Sequence, residues 1–359
     1  MIIKYLIYSQ NTNIIHNMSN YILDRNRISN QKLREIVGKL PEFCVDYFIG
    51  IEQVTSPLTR LNYATDLNIF FTYLANELLF KDISIISLAD INALKAKDIE
   101  FFLSYLTYFE KDGKTYQNGE RGKARKLSSI RSFFKYLYNN NLISQDESSK
   151  VRTPKIHTKP IVHLESNEVA TLLNEVETPS ELSLRQVAFN KHTRTRDIAM
   201  LSLFLGTGIR VSECVGLNIK DVDFENNAFK ITRKGGNQTI LYFSDEVKQP
   251  LLMWVKERVS WLDDNSTETA LFLSLQKKRI SVRAVEKLVK KYSECASPLK
   301  KITPHKLRST YGTALYEETG DIYVVAEVLG HKDVNTTKKH YASISNDIKR
   351  SVAGKVKLR

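Results

Sequence analysis

The sequence has only three cysteines in 359 residues, Cys44, Cys214 and Cys295, and no two of them form a CxxC pair. An odd number of widely spaced thiols argues against a disulfide framework and against a zinc site, and it fits a reducing cytoplasm. Long apolar runs are also missing. The opening MIIKYLIYSQ is interrupted by Lys4 and lacks a cleavage site of small residues. We therefore expect a cytoplasmic protein with neither a signal peptide nor a membrane-spanning helix.

Acidic residues are in deficit, with 40 Asp and Glu against 53 Lys and Arg and a formal net charge of +13. Such an excess favours a polyanionic partner, nucleic acid before membrane, although charge alone fits a merely basic protein equally well. Hydrophobic residues make up 42% of the chain, which is enough for buried cores. The length suits two domains better than one.

The first half is predicted to be helical from about residue 31 to 145. In TRLNYATDLNIFFTYLANELL, one broad apolar stripe contains Leu61, Leu67, Phe70, Phe71 and Leu74. The segment KDGKTYQNGERGKARK has no apolar period and is predicted to be a loop followed by a basic helix start. Its cations can reach phosphates, although a solvated charged loop fits this segment alone equally well.

The second half shows a mixed pattern after an extended linker within residues 144–168. A helix is predicted to restart with Ser166 as its N-cap, and RDIAMLSLFLGTG is predicted to be a buried helix preceded by a helix and an exposed loop. In NAFKITRKGGNQTILYFSDE, Phe229 and Ile231 alternate before a Gly-Gly turn, and Ile240 and Tyr242 alternate after it. This pattern predicts a β-hairpin.

Separate segments of the second half offer groups suited to phosphate chemistry. Arg210 follows a Gly-x-Gly break, where its planar fork can bind a phosphate and Glu213 can orient it. Lys234, at the hairpin tip beside two glycines, can donate a proton to a leaving oxygen. Taken alone, the first pair also fits a surface salt bridge, and the lysine also fits a solvated turn.

Two further segments add a histidine-arginine pair, a second histidine and a tyrosine. His305 and Arg308 lie three residues apart at a predicted helix start, where they can form an oxyanion site, although a capped exposed helix fits as well. His331 directly follows a predicted helix end at Gly330. Tyr341 lies ten residues later, where packing would be its ordinary role.

The order of these groups, Arg, Lys, His-x-x-Arg, Gly-His and Tyr, is similar to that of the tyrosine recombinases, the phage integrase family of site-specific DNA recombinases. The matching motifs cover residues 196–345. The first half resembles the core-binding domain of that family through TRLNYATDLNIFFTYL and LSSIRSFFKYL. The segments AFNKHTRTRDIAML, ITRKGG, AVEKLVKKYS and ITPHKLRST resemble the single-protein Xer recombinases of the XerS type.

The resemblance implies a mainly α fold with a small β-sheet, in which a helical bundle and an α+β catalytic domain form a C-shaped clamp on DNA. We expect the following division: an N-terminal extension at 1–30, a helical SAM-like core-binding domain at 31–148, a linker at 149–165, a catalytic domain at 166–345 and a C-terminal tail at 346–359. Met18 is an alternative start.

Carried over residue by residue, the resemblance makes Tyr341 the nucleophile that forms a 3′-phosphotyrosine with DNA. Arg210 and Arg308 would clamp the non-bridging phosphate oxygens. The resemblance also makes Lys234 the acid that protonates the departing 5′-oxygen and His305 the base. His331 would contact the phosphate, and Glu213 would support the active site. Members of the family often have a histidine where this chain has Ser309, which lies outside the catalytic set. No metal, cofactor or ATP is implied.

The implied partners are double-stranded DNA with inverted-repeat half-sites and three further copies of the chain, in a homo-tetramer on two DNA sites. A septal DNA translocase is another candidate. No arm-binding N-terminal domain is evident, which favours Xer-like resolution of chromosome dimers at a dif-type site over an integrase or excisionase of a phage, plasmid or transposon. A type IB topoisomerase-like enzyme fits the first half less well, and a regulator without catalysis fits poorly because every catalytic position is filled.

The tail carries an apolar stripe at four-residue spacing, made of Ile344, Ile348, Val352 and Val356. It can pack on its own domain, but in the family this segment commonly docks on a neighbouring protomer. Deleting residues 346–359 is therefore predicted to weaken the pairing of two DNA sites and to leave binding to one site unchanged. Native gel electrophoresis with one-site and two-site DNA measures both, and unaltered recombination would contradict the docking role.

Overall fold

Apolar residues at helical spacing give the chain a mainly α structure with small antiparallel sheets, as the sequence predicts. The computed structural model describes residues 17–111, 113–157, 161–233, 237–331 and 333–334. These residues fall into two units, a first unit within Ser19–Thr158 and a second unit within Lys159–Arg359. Among the described residues, none of the helices combines the length and the apolar character that a membrane span requires.

The first unit is a helical bundle around an aromatic core. Its helices are α1 (Asn17–Val37), α2 (Phe43–Gly50), α3 (Pro57–Tyr73), α4 (Leu88–Ala93), α5 (Ala96–Tyr105) and α6 (Glu120–Asn139). α3 begins where the Ser56 hydroxyl accepts the Thr59 N–H, and it continues into a π-helical turn at Leu74–Leu79. The predicted stripe on α3 is buried except for Leu61, which is half-buried, and it packs on rings of α5 and α6.

A short hairpin lies across the end of the predicted helical stretch and the start of the predicted loop. Strands β1 (Phe109–Lys111) and β2 (Lys114–Tyr116) pair antiparallel, with Phe109 opposite Tyr116. The two rings stack at 5.5 Å between centroids, and Gly113 makes the turn with φ +68°. The prediction missed the hairpin because a three-residue strand is too short to show an alternating pattern, while the cross-strand aromatic pair stabilises it.

A buried carboxylate joins α3 to α6. Asp66 is fully buried and accepts hydrogen bonds from both terminal nitrogens of Arg125, at 2.5 and 2.7 Å, and from the Ser129 hydroxyl at 2.8 Å. The Lys126 ammonium lies 3.8 Å away and is itself buried. Part of the basic start of α6 is therefore directed inward, because a buried carboxylate is stable only when it is paired and hydrogen-bonded.

The second unit is built on a long central helix. Its helices are α7 (Ser166–Glu177), α8 (Leu184–Thr207), α9 (Val211–Gly216), α10 (Asp245–Trp261), α11 (Val282–Ala296), α12 (Pro304–Thr319) and α13 (Ile322–Leu329). The predicted N-cap was wrong by one residue: Glu165 precedes α7, and its N–H donates to the Glu168 carboxylate at 2.8 Å. α8 packs on α7, α10 and α12. It also includes most of the segment before RDIAMLSLFLGTG, which we predicted to form a helix and an exposed loop.

The predicted β-hairpin is present in a sheet of order β3-β4-β5, formed by Val222–Asp223, Ala228–Thr232 and Gln238–Tyr242. Phe229 and Ile231 are buried. On β5, however, the alternation that we noted marks the outer face: Ile240 and Tyr242 are exposed, and Leu241 is buried opposite Phe229. Directly opposed residues of an antiparallel pair share one face, so the partner strand decides which residues of β5 turn inward.

Two features of the first unit extend beyond the limits of residues 31 and 148 that we predict for the first domain. α1 runs from Asn17 to Val37 and so crosses the limit that we expect between residues 30 and 31. Val151 packs in the core of the first unit, within the first residues of the expected linker. The exact limits stay predictions.

Replacing Asp66 with alanine is expected to destabilise the first unit by about 2–4 kcal/mol, because it leaves the buried Ser129 hydroxyl and Lys126 without their carboxylate partner. Both tryptophans, Trp254 and Trp261, lie in the second unit. Urea unfolding followed by circular dichroism should therefore shift, while the tryptophan fluorescence transition should not. The control is Asp46→Ala, which removes an exposed carboxylate of the same unit. Equal transitions for the two variants would contradict the expectation.

Candidate active site

Arg210 is held at the start of α9 by a local pair. α8 ends at Thr207, Gly208 continues in the left-handed region with φ +61°, and Arg210 becomes the N-cap of α9. The Arg210 guanidinium donates to one Glu213 oxygen at 2.8 Å, and its backbone N–H donates to the other at 3.0 Å. The Glu213 side chain is only 5% exposed. The predicted pairing of Arg210 with Glu213 is thus present, with the carboxylate on the buried side.

The carboxyl end of α13 presents a row of carbonyl groups. Gly330 has φ +62°, its N–H donates to Glu327 O at 2.9 Å, and the His331 N–H donates to Ala326 O at 2.9 Å. This is a Schellman-type ending, which satisfies the carbonyls of the penultimate turn. The next carbonyls, on Val328, Leu329 and Gly330, need donors from elsewhere. His331 therefore follows directly after the hydrogen-bonded turn that ends the helix, as the Gly-His motif predicts.

Arginines from separate elements supply those donors. Arg210 donates to Gly330 O at 3.1 Å and to Leu329 O at 3.3 Å, and Arg308 also donates to Leu329 O. Arg233, from the end of β4, donates to Val328 O at 3.1 Å. We call Arg210, Arg233 and Arg308 the arginine cluster. Cations are favourable at a helix carboxyl end because its carbonyl dipoles carry partial negative charge.

Arg308 and His305 differ in their surroundings although they lie one turn apart on α12. Arg308 is 5% exposed, and its Nη1 donates to Gly208 O at 2.5 Å. It therefore joins the loop between α8 and α9 to the end of α13. His305 is exposed in the first turn of the helix. The prediction that both residues share one face did not anticipate that the arginine would be buried as a connector.

The cluster is cationic and partly dehydrated. Burial lowers the pKa of the Arg233 guanidinium from its ordinary value, and the nearby Glu213 carboxylate raises it while Arg210 lowers it. Arg233 thus shares its electrostatic environment with the predicted pair. Guanidinium groups concentrated around one carboxylate leave an excess of positive charge, which suits a phosphate.

The structure brings together Arg210, Glu213, Arg308 and the turn that carries His331. Lys234 and Tyr341, which we predicted as acid and nucleophile, lie outside the described residues, as does the short helix predicted from near Asn335. Arg233 was missed by the sequence analysis. The sequence does contain a signal for it, because Arg233 directly precedes Lys234 in ITRKGG. This position predicts a second cation next to the hairpin tip.

Family models match most of the chain. The model of the phage integrase family matches residues 163–347, and that of the phage integrase N-terminal SAM-like domain matches residues 46–141. A tyrosine recombinase XerC of Caldanaerobacter subterraneus is 32% identical over 309 residues, covering 83% of this chain and 81% of that protein. A tyrosine recombinase XerS of Streptococcus sanguinis is 28% identical over 354 residues, covering 91% and 98%.

Solved structures share the fold. XerH recombinase in a post-cleavage complex with a palindromic difH substrate superposes with a TM-score of 0.62 at 19% identity, covering 95% of this chain and 98% of that one. The integrase of transposon Tn1549 in complex with a circular intermediate DNA gives a TM-score of 0.59 at 18% identity, covering 86% and 98%.

Gly208→Ala is expected to destabilise the second unit by more than Gly320→Ala does. Both glycines have positive φ, +61° and +64°, so each alanine costs about 1 kcal/mol of backbone strain. A β-carbon on Gly208 would also lie 2.5 Å from Tyr311 and 2.8 Å from Leu329, whereas nothing lies within 4 Å at Gly320. This overlap should add about 1–3 kcal/mol. Tryptophan fluorescence during urea unfolding measures both variants, and equal losses would show that the loop before Arg210 adapts freely.

Proposed function

The chain belongs to the phage integrase family of tyrosine recombinases, and on that premise we propose that it exchanges DNA strands through a 3′-phosphotyrosine at Tyr341. Tyrosine recombinases are site-specific DNA recombinases that break and rejoin DNA, so this chain is an enzyme that acts on DNA. The observation that carries the proposed site is the convergence of Arg210 and Arg308 on the carbonyls beside His331.

The arginines are proposed to bind the scissile phosphate. A phosphodiester resists attack because the nucleophile and the phosphate are both electron-rich. Arg210 and Arg308 are suited to stabilise the added charge of the pentavalent transition state, since their guanidinium groups are already oriented by protein acceptors and need little reorganisation. Glu213 keeps the Arg210 fork in place. His331 contacts the same phosphate from the turn after Gly330.

Proton transfer completes the proposed reaction. A free tyrosine phenol has a pKa of about 10, so attack by Tyr341 requires a base and a positive site. We assign His305 as the base, and its exposure at the first turn of α12 leaves it accessible to DNA and to the nucleophile. Lys234 protonates the departing 5′-oxygen. The phosphotyrosine conserves the energy of the broken bond, so rejoining needs no ATP.

In the cell, we propose Xer-like resolution of chromosome dimers at a dif-type site. Support comes from a relative of XerS type that this chain matches over 91% of its length, and from the fold shared with XerH on difH DNA. A homo-tetramer on two sites, each made of inverted half-sites, would carry out the exchange. A septal DNA translocase is the proposed further partner, and the cytoplasm, where the chromosome lies, the proposed location.

A role in the mobility of a transposon, plasmid or phage is the second candidate. The observation that favours it is the fold shared with the Tn1549 integrase on a circular intermediate DNA. Both candidates use the same chemistry, so they differ only in which DNA is recognised. The expected substrates are the replication-terminus region for a dimer resolvase and the DNA flanking the gene for an integrase.

Trapping the covalent adduct on nicked suicide substrates tests both the chemistry and the role. The native enzyme should form a denaturant-resistant protein–DNA adduct at Tyr341, and Tyr341→Phe should abolish the adduct while retaining DNA binding. Arg308→Ala should slow cleavage by about 10²–10³-fold, as expected for a lost transition-state donor. Substrates are drawn from the terminus region and from the DNA flanking the gene, and the cleaved one identifies the role. An adduct that persists in Tyr341→Phe would overturn the nucleophile assignment.

A further inference from the structure

Arg233 joins the β4–β5 hairpin to the end of α13 through both its backbone and its side chain. Its backbone N–H donates to Asn237 O at 2.8 Å, which extends the pairing of β4 and β5 up to the tip residues. Its Nη2 donates to Val328 O at 3.1 Å. The same residue therefore holds the base of the hairpin tip and contacts the last turn of the helix before His331.

The guanidinium lies directly on Gly330. A β-carbon added to Gly330 would fall 1.2 Å from Nη1 and 2.1 Å from Cζ of Arg233, so any side chain there would displace the arginine. Gly330 also has φ +62°, a conformation that favours glycine. Glycine at this position thus serves two needs: it allows the turn that presents His331, and it leaves the space that the Arg233 side chain fills.

The hydrogen bond to Val328 O accounts for only part of the Arg233 side chain. Its Nε is buried, and it has no hydrogen-bond partner among the residues that the structure describes. Burial and the nearby Arg210 disfavour its charge, although the Glu213 carboxylate favours it. An apolar side chain of similar length would cover Gly330 without a buried, unsatisfied donor, although it would remove this donor to Val328 O. The retained charge and the directed bond to Val328 O point to a task in the site.

We propose that Arg233 is a positioning residue of the active site, which fixes the hairpin end that carries Lys234 against the turn that carries His331. The inference rests on the proposed function for the roles of those two residues. Arg233 acts through Lys234 and His331. Its guanidinium fixes the position of this end of the hairpin relative to α13 and to Arg210. Loss of the fork should therefore impair protonation of the leaving group more than binding of the phosphate.

A change of leaving group tests this role. In cleavage, the Tyr341 oxygen bonds to phosphorus, the bond from phosphorus to the 5′-oxygen breaks with its electron pair going to that oxygen, and Lys234 supplies the proton. With sulfur in the 5′-bridging position, the leaving group departs as a thiolate and needs no proton. Arg233→Ala should slow single-turnover cleavage of the oxygen substrate by about 10–10²-fold, at or below the lower end of the roughly 10²–10⁴-fold range for general acid catalysis, because Arg233 acts only through Lys234. It should cleave the sulfur substrate at nearly the native rate.

Matched variants make the result specific. Lys234→Ala should be rescued by sulfur in the same way, whereas Arg308→Ala should not. Arg258→Ala is the structural control, because Arg258 is a buried arginine that likewise donates to carbonyls, those of Ala270 and Glu268. Arg233→Lys, which keeps the charge without the fork, should lie between alanine and the native enzyme. If Lys234→Ala is rescued and Arg233→Ala is not, the positioning role is overturned. If Lys234→Ala is not rescued, the acid assignment fails instead.

A double-mutant cycle decides the role of Arg233 without reference to Lys234. Gly330→Ala strains the turn before His331 in either background, but it displaces the guanidinium only in the native chain, so it should cost less in an Arg233→Ala background. We expect the double variant to cleave within about threefold of Arg233→Ala alone. Thermal unfolding by tryptophan fluorescence and DNA affinity are measured alongside, to confirm folded protein. Rate losses that multiply independently would overturn the inference.

Discussion

The last three carbonyl groups at the end of α13 are the constraint on which the rest of the site depends. The Schellman-type turn uses the carbonyls before them and leaves Val328, Leu329 and Gly330 to accept from side chains. Arginines from the α8–α9 junction, the β-hairpin and α12 reach this one point. Elements distant in sequence are thereby held to a single backbone segment, and any group carried by one of them is placed relative to the others.

Interactions between residues close together in the sequence could be predicted, whereas those between residues far apart could not. The Arg210–Glu213 pair lies within one turn, and the Gly330–His331 ending is encoded by the local sequence, so both could be predicted. The burial of Arg308 could not, because its acceptors lie about 100 and 21 residues away in the chain. The hairpin shows the same limit. Alternation identified the strands, but the inward face of β5 depends on which residue lies opposite Phe229.

The first unit applies the same physical rule with a side-chain carboxylate in place of backbone carbonyls. Asp66 is a buried anion that gathers basic residues of α6, just as the carbonyls of α13 gather the arginine cluster. In both places a buried or dehydrated acceptor fixes the direction of cations that basic composition alone would assign to a solvated surface. The basic character of the chain is thus partly structural, and a count of lysines and arginines overstates the charge that is available to DNA.

The acceptors of the arginine cluster belong to the main chain, and this affects how the site can change in evolution. A change of side chain at Val328 or Leu329 does not remove a carbonyl oxygen, so it does not delete an acceptor of Arg233, Arg210 or Arg308. A single substitution can remove one of the arginine donors or Gly330, but it cannot remove an acceptor. A site built in this way confines the loss of a hydrogen-bonding group to a few positions, whereas neighbouring apolar residues such as Leu329 are constrained by their packing in the core instead.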